Sequence, residues 1–125
     1  MLRTALAALL VVASLLAVRS ATAEPVEVKY AEGVARGFPV LRSLAGDKLA
    51  QGEIFQIPHG DDVVESRLVF RFVDGSLYDE RVVFSQRGVF ILLSYRLVQR
   101  GPSFPETVAA TFDRASGRYD VVYTW

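Results

Sequence analysis

Hydrophobic and polar residues follow two different patterns along the chain. Residues 5–18 form one continuous apolar run, whereas beyond residue 24 short apolar stretches are broken by Gly, Asp and Pro at intervals of roughly 8–14 residues. No helical periodicity is sustained over three turns in this second part. Breakers at such spacing predict a mainly β fold, an antiparallel meander sheet that stays open or curls into a half-barrel.

The alternation of apolar and polar residues places the individual strands. We predict strands at 26–30, 38–44, 53–57, 89–98, 107–112 and 118–125, together with a hairpin over 65–85, and a helical turn or a loop at 47–51. Because Val89 to Leu93 are all apolar, the 89–98 strand is expected to be central or curled and covered on both faces.

The register of the 65–85 hairpin follows from side-chain parity. A two-residue turn at Asp74-Gly75 would set Phe70 opposite Asp79. A three-residue turn that includes Val73, with Gly75 left-handed, instead puts Leu68, Phe70 and Phe72 on one face with Tyr78, Val82 and Phe84, and Arg67, Arg71, Asp79 and Arg81 on the other. A one-residue slip moves every side chain across the sheet, so the three-residue turn is predicted.

The N-terminal segment has the features of a secretory signal. Arg3 precedes the apolar run, and the small residues Ala21 and Ala23 stand where a signal peptidase reads. Arg19 interrupts the run before it reaches the length of about 20 residues that a membrane span needs. We predict a signal peptide at 1–23 and a single β-rich domain at 24–125, exported to the periplasm or the extracellular space, with no membrane span after cleavage.

Composition narrows the chemistry of the exported part. The chain has no cysteine, which removes disulfides, thiolate metal sites and lipid attachment through cysteine. Without Arg3 and Arg19, 12 basic residues stand against 14 acidic ones, a net charge of −2. This charge gives no reason to expect nucleic acid as a partner.

One polar cluster invites a catalytic interpretation. His59, the only histidine, is followed by Asp61, Asp62 and Glu65, which would suit a metal site or a general base with an orienting acid. A metal site would need another ligand from elsewhere in the chain. The same residues are also ordinary turn chemistry. No complete catalytic set, metal site or cofactor motif is present in the sequence.

Aromatic residues and one proline-flanked loop suggest binding instead. Phe70, Phe72, Tyr78, Phe84, Phe90, Phe112, Tyr119 and Tyr123 form a stripe that would be either the core of the sheet or the lining of an apolar pocket. The segment 99–105 is a candidate binding loop with Gln99, Arg100, Ser103 and Phe104 as contact residues. Phe104, between two prolines, would either project outward or fold back onto the core.

Several of these segments together resemble a known group of sequences. Asp74-Gly75-Ser76-Leu77, Asp79-Glu80, Phe84-Ser85-Gln86 and residues 99–105 resemble a family of uncharacterised exported bacterial proteins, over about residue 30 to the end. The resemblance implies no activity and no site residue. Members of that family continue past the last strand. Because Trp125 ends inside a strand pattern, the chain is either truncated, or its last strand pairs at a sheet edge, or it ends in an ordinary short strand; the family resemblance favours truncation. The architecture is also similar to that of periplasmic lipoprotein-carrier half-barrels, which does not define a function.

The sequence therefore favours a non-enzymatic binding module for a hydrophobic small molecule or an envelope protein. The alternative is a metal-assisted or acid–base hydrolase that uses His59 with nearby carboxylates.

Overall fold

The computed structural model describes residues 23–125, and all but the last residue of the predicted signal peptide lies outside them. Eight strands follow one another along the chain: β1 Ala35–Gly37, β2 Val40–Arg42, β3 Lys48–Pro58, β4 Val63–Phe72, β5 Leu77–Ser85, β6 Ile91–Arg100, β7 Thr107–Asp113 and β8 Arg118–Thr124. In these residues no helix is long and apolar enough to cross a membrane.

The strands form one antiparallel sheet, as the spacing of the breakers predicted. From β3 to β8 each strand pairs with the next one in sequence. β1 and β2 both pair with the edge of β3 that faces away from β4. The sheet does not close on itself: β8 lies at one edge, and β1 with β2 lies at the other. The predicted antiparallel meander is therefore confirmed, and it is not closed into a barrel.

The β4–β5 hairpin has the predicted three-residue turn. Phe70 is opposite Tyr78 and Arg67 is opposite Arg81. The Phe72 amide donates to the Ser76 carbonyl at 2.9 Å, and Gly75 has φ +85°, a left-handed value that favours glycine. This register separates the apolar side chains of the hairpin from the charged ones.

Two of the predicted elements were wrong. Of residues 47–51, all but Asp47 belong to a strand rather than to a helical turn or a loop, because β3 starts at Lys48 and pairs there with β2 and, from Ala50, with β4. Residues 26–30 alternate like a strand but make only an isolated bridge between Glu27 and Val89.

Little of the described chain is buried. The buried apolar side chains are Ala50, Val64, Val69 and Ala110. Strand β6 lies between β5 and β7 as predicted, but it is not covered on both faces, since Leu92 is 39% exposed. No second layer of structure within residues 23–125 covers the sheet, and most of its side chains remain partly accessible to solvent.

Candidate functional site: a groove on the apolar face

Alternation along the strands gives the sheet two chemically different faces. We call one the apolar face; its larger side chains in β4–β8 are Val64, Leu68, Phe70, Phe72, Tyr78, Val82, Phe84, Tyr95, Leu97, Val108, Phe112, Tyr119, Val121 and Tyr123. We call the other the charged face; it carries Glu53, Glu65, Arg67, Arg71, Asp79, Arg81, Arg96, Arg100, Arg118 and Asp120. The predicted aromatic stripe is thus largely one face of the sheet.

A groove of about 320 Å³ lies at one end of the apolar face. It is lined by side chains of β2, β4, β5, β6 and the loop after β6, namely Leu41, Leu68, Phe70, Phe72, Tyr78, Gln99 and Phe104. The polar groups in this lining are the Tyr78 hydroxyl and the Gln99 amide. Apolar walls with a few polar groups are typical of small-molecule sites.

Phe104 forms one wall of the groove by folding back onto the sheet. Its ring meets that of Phe72 edge-on, with centroids 5.3 Å apart and planes at 75°. Of the two orientations considered for Phe104, the structure has the one that packs against the core. Such edge-to-face pairs contribute about 0.5–1.5 kcal/mol beyond the area they bury.

The loop after β6 is held in place by hydrogen bonds to the β4–β5 turn. The Ser103 amide donates to Ser76 Oγ at 2.8 Å, and Ser103 Oγ donates to Asp74 Oδ2 at 2.6 Å. The hydrogen bond from Ser103 lowers the pKa of the Asp74 carboxyl. At Gly101, a Cβ atom would lie 2.6 Å from Ser76 Cα, so the close approach of loop and turn requires glycine there.

The four residues of the predicted binding loop do not act as one surface. Gln99 and Arg100 are the last residues of β6, and Arg100, opposite Leu77, lies on the charged face. Ser103 forms hydrogen bonds to the β4–β5 turn. Gln99 and Phe104 are the two that line the groove.

The other end of the apolar face is crossed by residues 26–33, which we call the strap. Gln86, only 9% exposed, accepts from the Glu32 amide at 2.6 Å and donates to the Glu32 carbonyl at 3.1 Å. The Gln56 amide donates to Glu32 Oε2 and to the Gly33 carbonyl. By the alternation of side chains along β3 and β5, both glutamines are on the apolar face, so the strap lies on that side of the sheet.

Glu80 is the one charged side chain on the apolar face in β4–β8. The Tyr95 hydroxyl donates to Glu80 Oε1 at 2.9 Å. Burial raises the pKa of Tyr95 above its usual range, and the hydrogen bond to Glu80 raises it further. The pair therefore satisfies a carboxylate within an otherwise apolar surface.

The predicted polar cluster is assembled only in part. His59 Nε2 lies 3.5 Å from Glu65 Oε2, whereas Asp61 and Asp62 contact Arg87. Within residues 23–125 no group of three or more His, Cys, Asp or Glu residues could hold a metal ion. Both aspartates have positive φ, near 60°, in the β3–β4 turn, which agrees with the turn interpretation of this segment.

The charged face contains an arrangement that sequence reasoning missed. Arg67, Arg81 and Arg96 are directly opposite one another on β4, β5 and β6, and they surround a second cavity. The alternation of side chains in the β4–β5 hairpin predicted that Arg67 and Arg81 share a face. The position of Arg96 beside them depends on the pairing of β5 with β6, which the sequence did not show.

Comparison of the chain with protein-family models, curated proteins and solved structures finds no match. The resemblance to exported bacterial proteins and the predicted export stay predictions, and a function has to be argued from the two faces of the sheet.

Proposed function

We propose that the protein is an exported, non-enzymatic binding module that holds an apolar small molecule in the groove of its apolar face. The observation that carries this proposal is the groove itself, where four strands and one loop converge and leave the aromatic side chains partly exposed. Contiguous apolar surface left open to solvent is uncommon in soluble proteins and marks interaction sites.

The size of the groove favours a small molecule over an envelope protein. A volume of about 320 Å³ is at the lower end of the roughly 300–1,000 Å³ found for small-molecule sites. Protein partners instead bury about 800 Å² per side on flatter surfaces. The ligand that fits has an apolar chain or ring for Phe70, Phe72 and Phe104, and one polar end for Tyr78 or Gln99.

No observation among the described residues favours the hydrolase alternative in the same way. The carboxylate nearest His59 is that of Glu65, and Arg81 Nη2 already donates to it at 2.8 Å. A carboxylate held by a guanidinium is a weakened base, because protonation must break that pair.

Binding of a neutral fluorescent probe tests the proposal. N-phenyl-1-naphthylamine should bind the purified chain with a saturable rise in emission, and dodecanol should displace it. Phe104→Ala should weaken binding about tenfold, since it removes an aromatic wall of the groove. Phe38→Ala is the matched control, because Phe38 is 62% exposed and stacks with Arg36 outside the groove.

Equal probe affinity in the Phe104→Ala and Phe38→Ala variants, both folded by circular dichroism, would show that the groove is not the site. Native mass spectrometry of protein recovered from an exporting host adds an independent readout. A bound mass of a few hundred daltons is expected there, together with a mature chain that begins at Glu24.

A further inference from the structure

The charged face contains a cavity of about 240 Å³ on the side of the sheet opposite the groove. It is lined by Phe55, Glu65, Arg67, Asp79, Arg81 and Arg96, and we call it the arginine cavity. Its lining comes from four adjacent strands, β3 to β6, so the sheet itself positions every one of these side chains.

Three arginines of this cavity form a single row across the sheet. Arg67 is the register partner of Arg81, and Arg81 is the register partner of Arg96. Side chains directly opposite each other on neighbouring strands have Cβ atoms about 5 Å apart, and like charges at that distance destabilise a sheet. Such a row requires compensation by negative charge.

The chain supplies that compensation for two of the three arginines. Asp79 accepts two hydrogen bonds from Arg67, at 2.9 and 2.6 Å, and Glu65 accepts one from Arg81 at 2.8 Å. These bonds lower the pKa of both carboxyls, so both are ionised near neutral pH. Arg96 makes no salt bridge with a carboxylate of residues 23–125, although its charge also helps to lower the pKa of Asp79. Three positive and two negative charges leave an excess of +1 in the cavity.

We propose that the arginine cavity binds a small monocarboxylate, with Arg96 as the main anion-binding residue and Phe55 as an apolar wall. A guanidinium presents two parallel N–H donors that match the two oxygens of a carboxylate. One negative charge cancels the excess of the cavity. A phosphate monoester, with about −1.5 to −2 charges, would exceed it and would be repelled more strongly than a carboxylate by Glu65 and Asp79.

The proposal is independent of the groove, which lies on the other face, and it assigns a second ligand class to the protein. Benzoate serves as the probe because it combines a carboxylate with a ring for Phe55. The purified chain is titrated with sodium benzoate, sodium phosphate and neutral benzamide, with NaCl adjusted to keep the ionic strength constant, while the Arg96 Nε–H resonance and the Tm are followed.

Benzoate should shift the Arg96 resonance saturably and raise the Tm, and benzamide should do neither. Arg96→Gln should weaken benzoate binding about tenfold, as expected for loss of a charge-assisted bidentate pair. The same variant should be at least as stable as the parent chain without benzoate, because it relieves the row of like charges.

Two controls separate the arginine cavity from other sites. Arg114→Gln removes an exposed arginine in the β7–β8 turn, and Phe104→Ala alters the groove; both should retain benzoate binding. Benzoate effects that equal those of NaCl, or that persist in Arg96→Gln, would overturn the proposal. Stronger binding of phosphate than of benzoate would overturn the carboxylate assignment. If Arg96→Gln does not fold, Arg96→Lys, which keeps the charge and loses the planar fork, should show the same weakening.

Discussion

The ring of Phe70 lies against the backbone of Gly52, its partner across β3 and β4. A Cβ atom at Gly52 would come within 2.6 Å of Phe70 Cε1 and 2.7 Å of Pro39 Cγ. The Gly52 amide donates to the Pro39 carbonyl at 2.7 Å, so the chain between β1 and β2 also lies close to Gly52. Glycine is thus the residue that lets Phe70 pack against the β3 backbone and form a wall of the groove.

Gly52→Ala is therefore expected to destabilise the fold by about 1–3 kcal/mol, because the added methyl group overlaps Phe70 and Pro39. It should also weaken probe binding in the groove. Urea unfolding followed by circular dichroism measures the first effect. Gly33→Ala is the matched control: no atom lies within 4 Å of the added Cβ, and a change below about 0.5 kcal/mol is expected. Equal midpoints for the two variants would contradict the packing described here.

Weak strand preferences at the start of β3 explain why the prediction for 47–51 was wrong. Lys48, Ala50 and Gly52 have weak strand preferences, and the strand exists because β2 and β4 pair with it on its two sides. Local pattern carries no information about such pairing. The hairpin of β4 and β5 could be predicted because its alternation and its Asp74-Gly75 turn are both local.

The candidate sites also combine features that local sequence predicts with features that depend on long-range contacts. The apolar face follows from alternation within each strand, and it was predicted as an aromatic stripe. The groove also needs Phe104, whose position depends on hydrogen bonds between Ser103 and a turn that is 27 residues earlier. The row of Arg67, Arg81 and Arg96 requires the registers of two strand pairs at once, which side-chain parity in one hairpin cannot supply.

The strap depends on Gln86, which bonds both main-chain polar groups of Glu32 although the two residues are 54 positions apart. Gln86→Ala should cost about 1–2 kcal/mol, since it removes both bonds at a nearly buried position. Hydrogen exchange of residues 26–33, measured by mass spectrometry, should become faster. Gln51→Ala, at an exposed position on the charged face, should leave that exchange unchanged, and equal protection in both variants would count against the strap.

The two ion pairs of the arginine cavity predict a loss of stability in acid. The pKa values of Glu65 and Asp79 are lowered by hydrogen bonds from Arg81 and Arg67 respectively, and the two carboxyl side chains are only 18% and 19% exposed. A lowered native pKa means that the unfolded chain takes up protons first. The stabilisation by the two ion pairs is therefore present above the pKa values of the carboxyls in the unfolded chain, about 4. It is lost as the pH falls through their lower pKa values in the native state.

Urea midpoints measured from pH 7 to pH 3 should thus fall most steeply below about pH 4.5. Asp79→Asn should lower the midpoint at pH 7 and flatten the acid slope, because it removes one of the two carboxyls responsible. Asp120→Asn is the control, since the Arg118–Asp120 pair is exposed at the sheet edge and should contribute little. Parallel acid slopes for the parent chain and Asp79→Asn would contradict the assignment.

The raised pKa of Tyr95 predicts a loss of stability at high pH. Burial and the hydrogen bond to Glu80 raise the pKa of Tyr95, so the native state keeps this proton after the unfolded chain has released it near pH 10. The stabilisation by this proton is full below that pH and is lost as the pH rises through the native pKa of Tyr95.

Tyr95→Phe should cost about 1–2 kcal/mol at pH 7, because Glu80 loses its donor. The same variant should show a shallower decline in urea midpoint between pH 9 and pH 11. Tyr30→Phe, at a position that is 86% exposed, should keep the decline of the parent chain. If Tyr95→Phe declines as steeply as Tyr30→Phe, the proton held by Tyr95 does not contribute to stability.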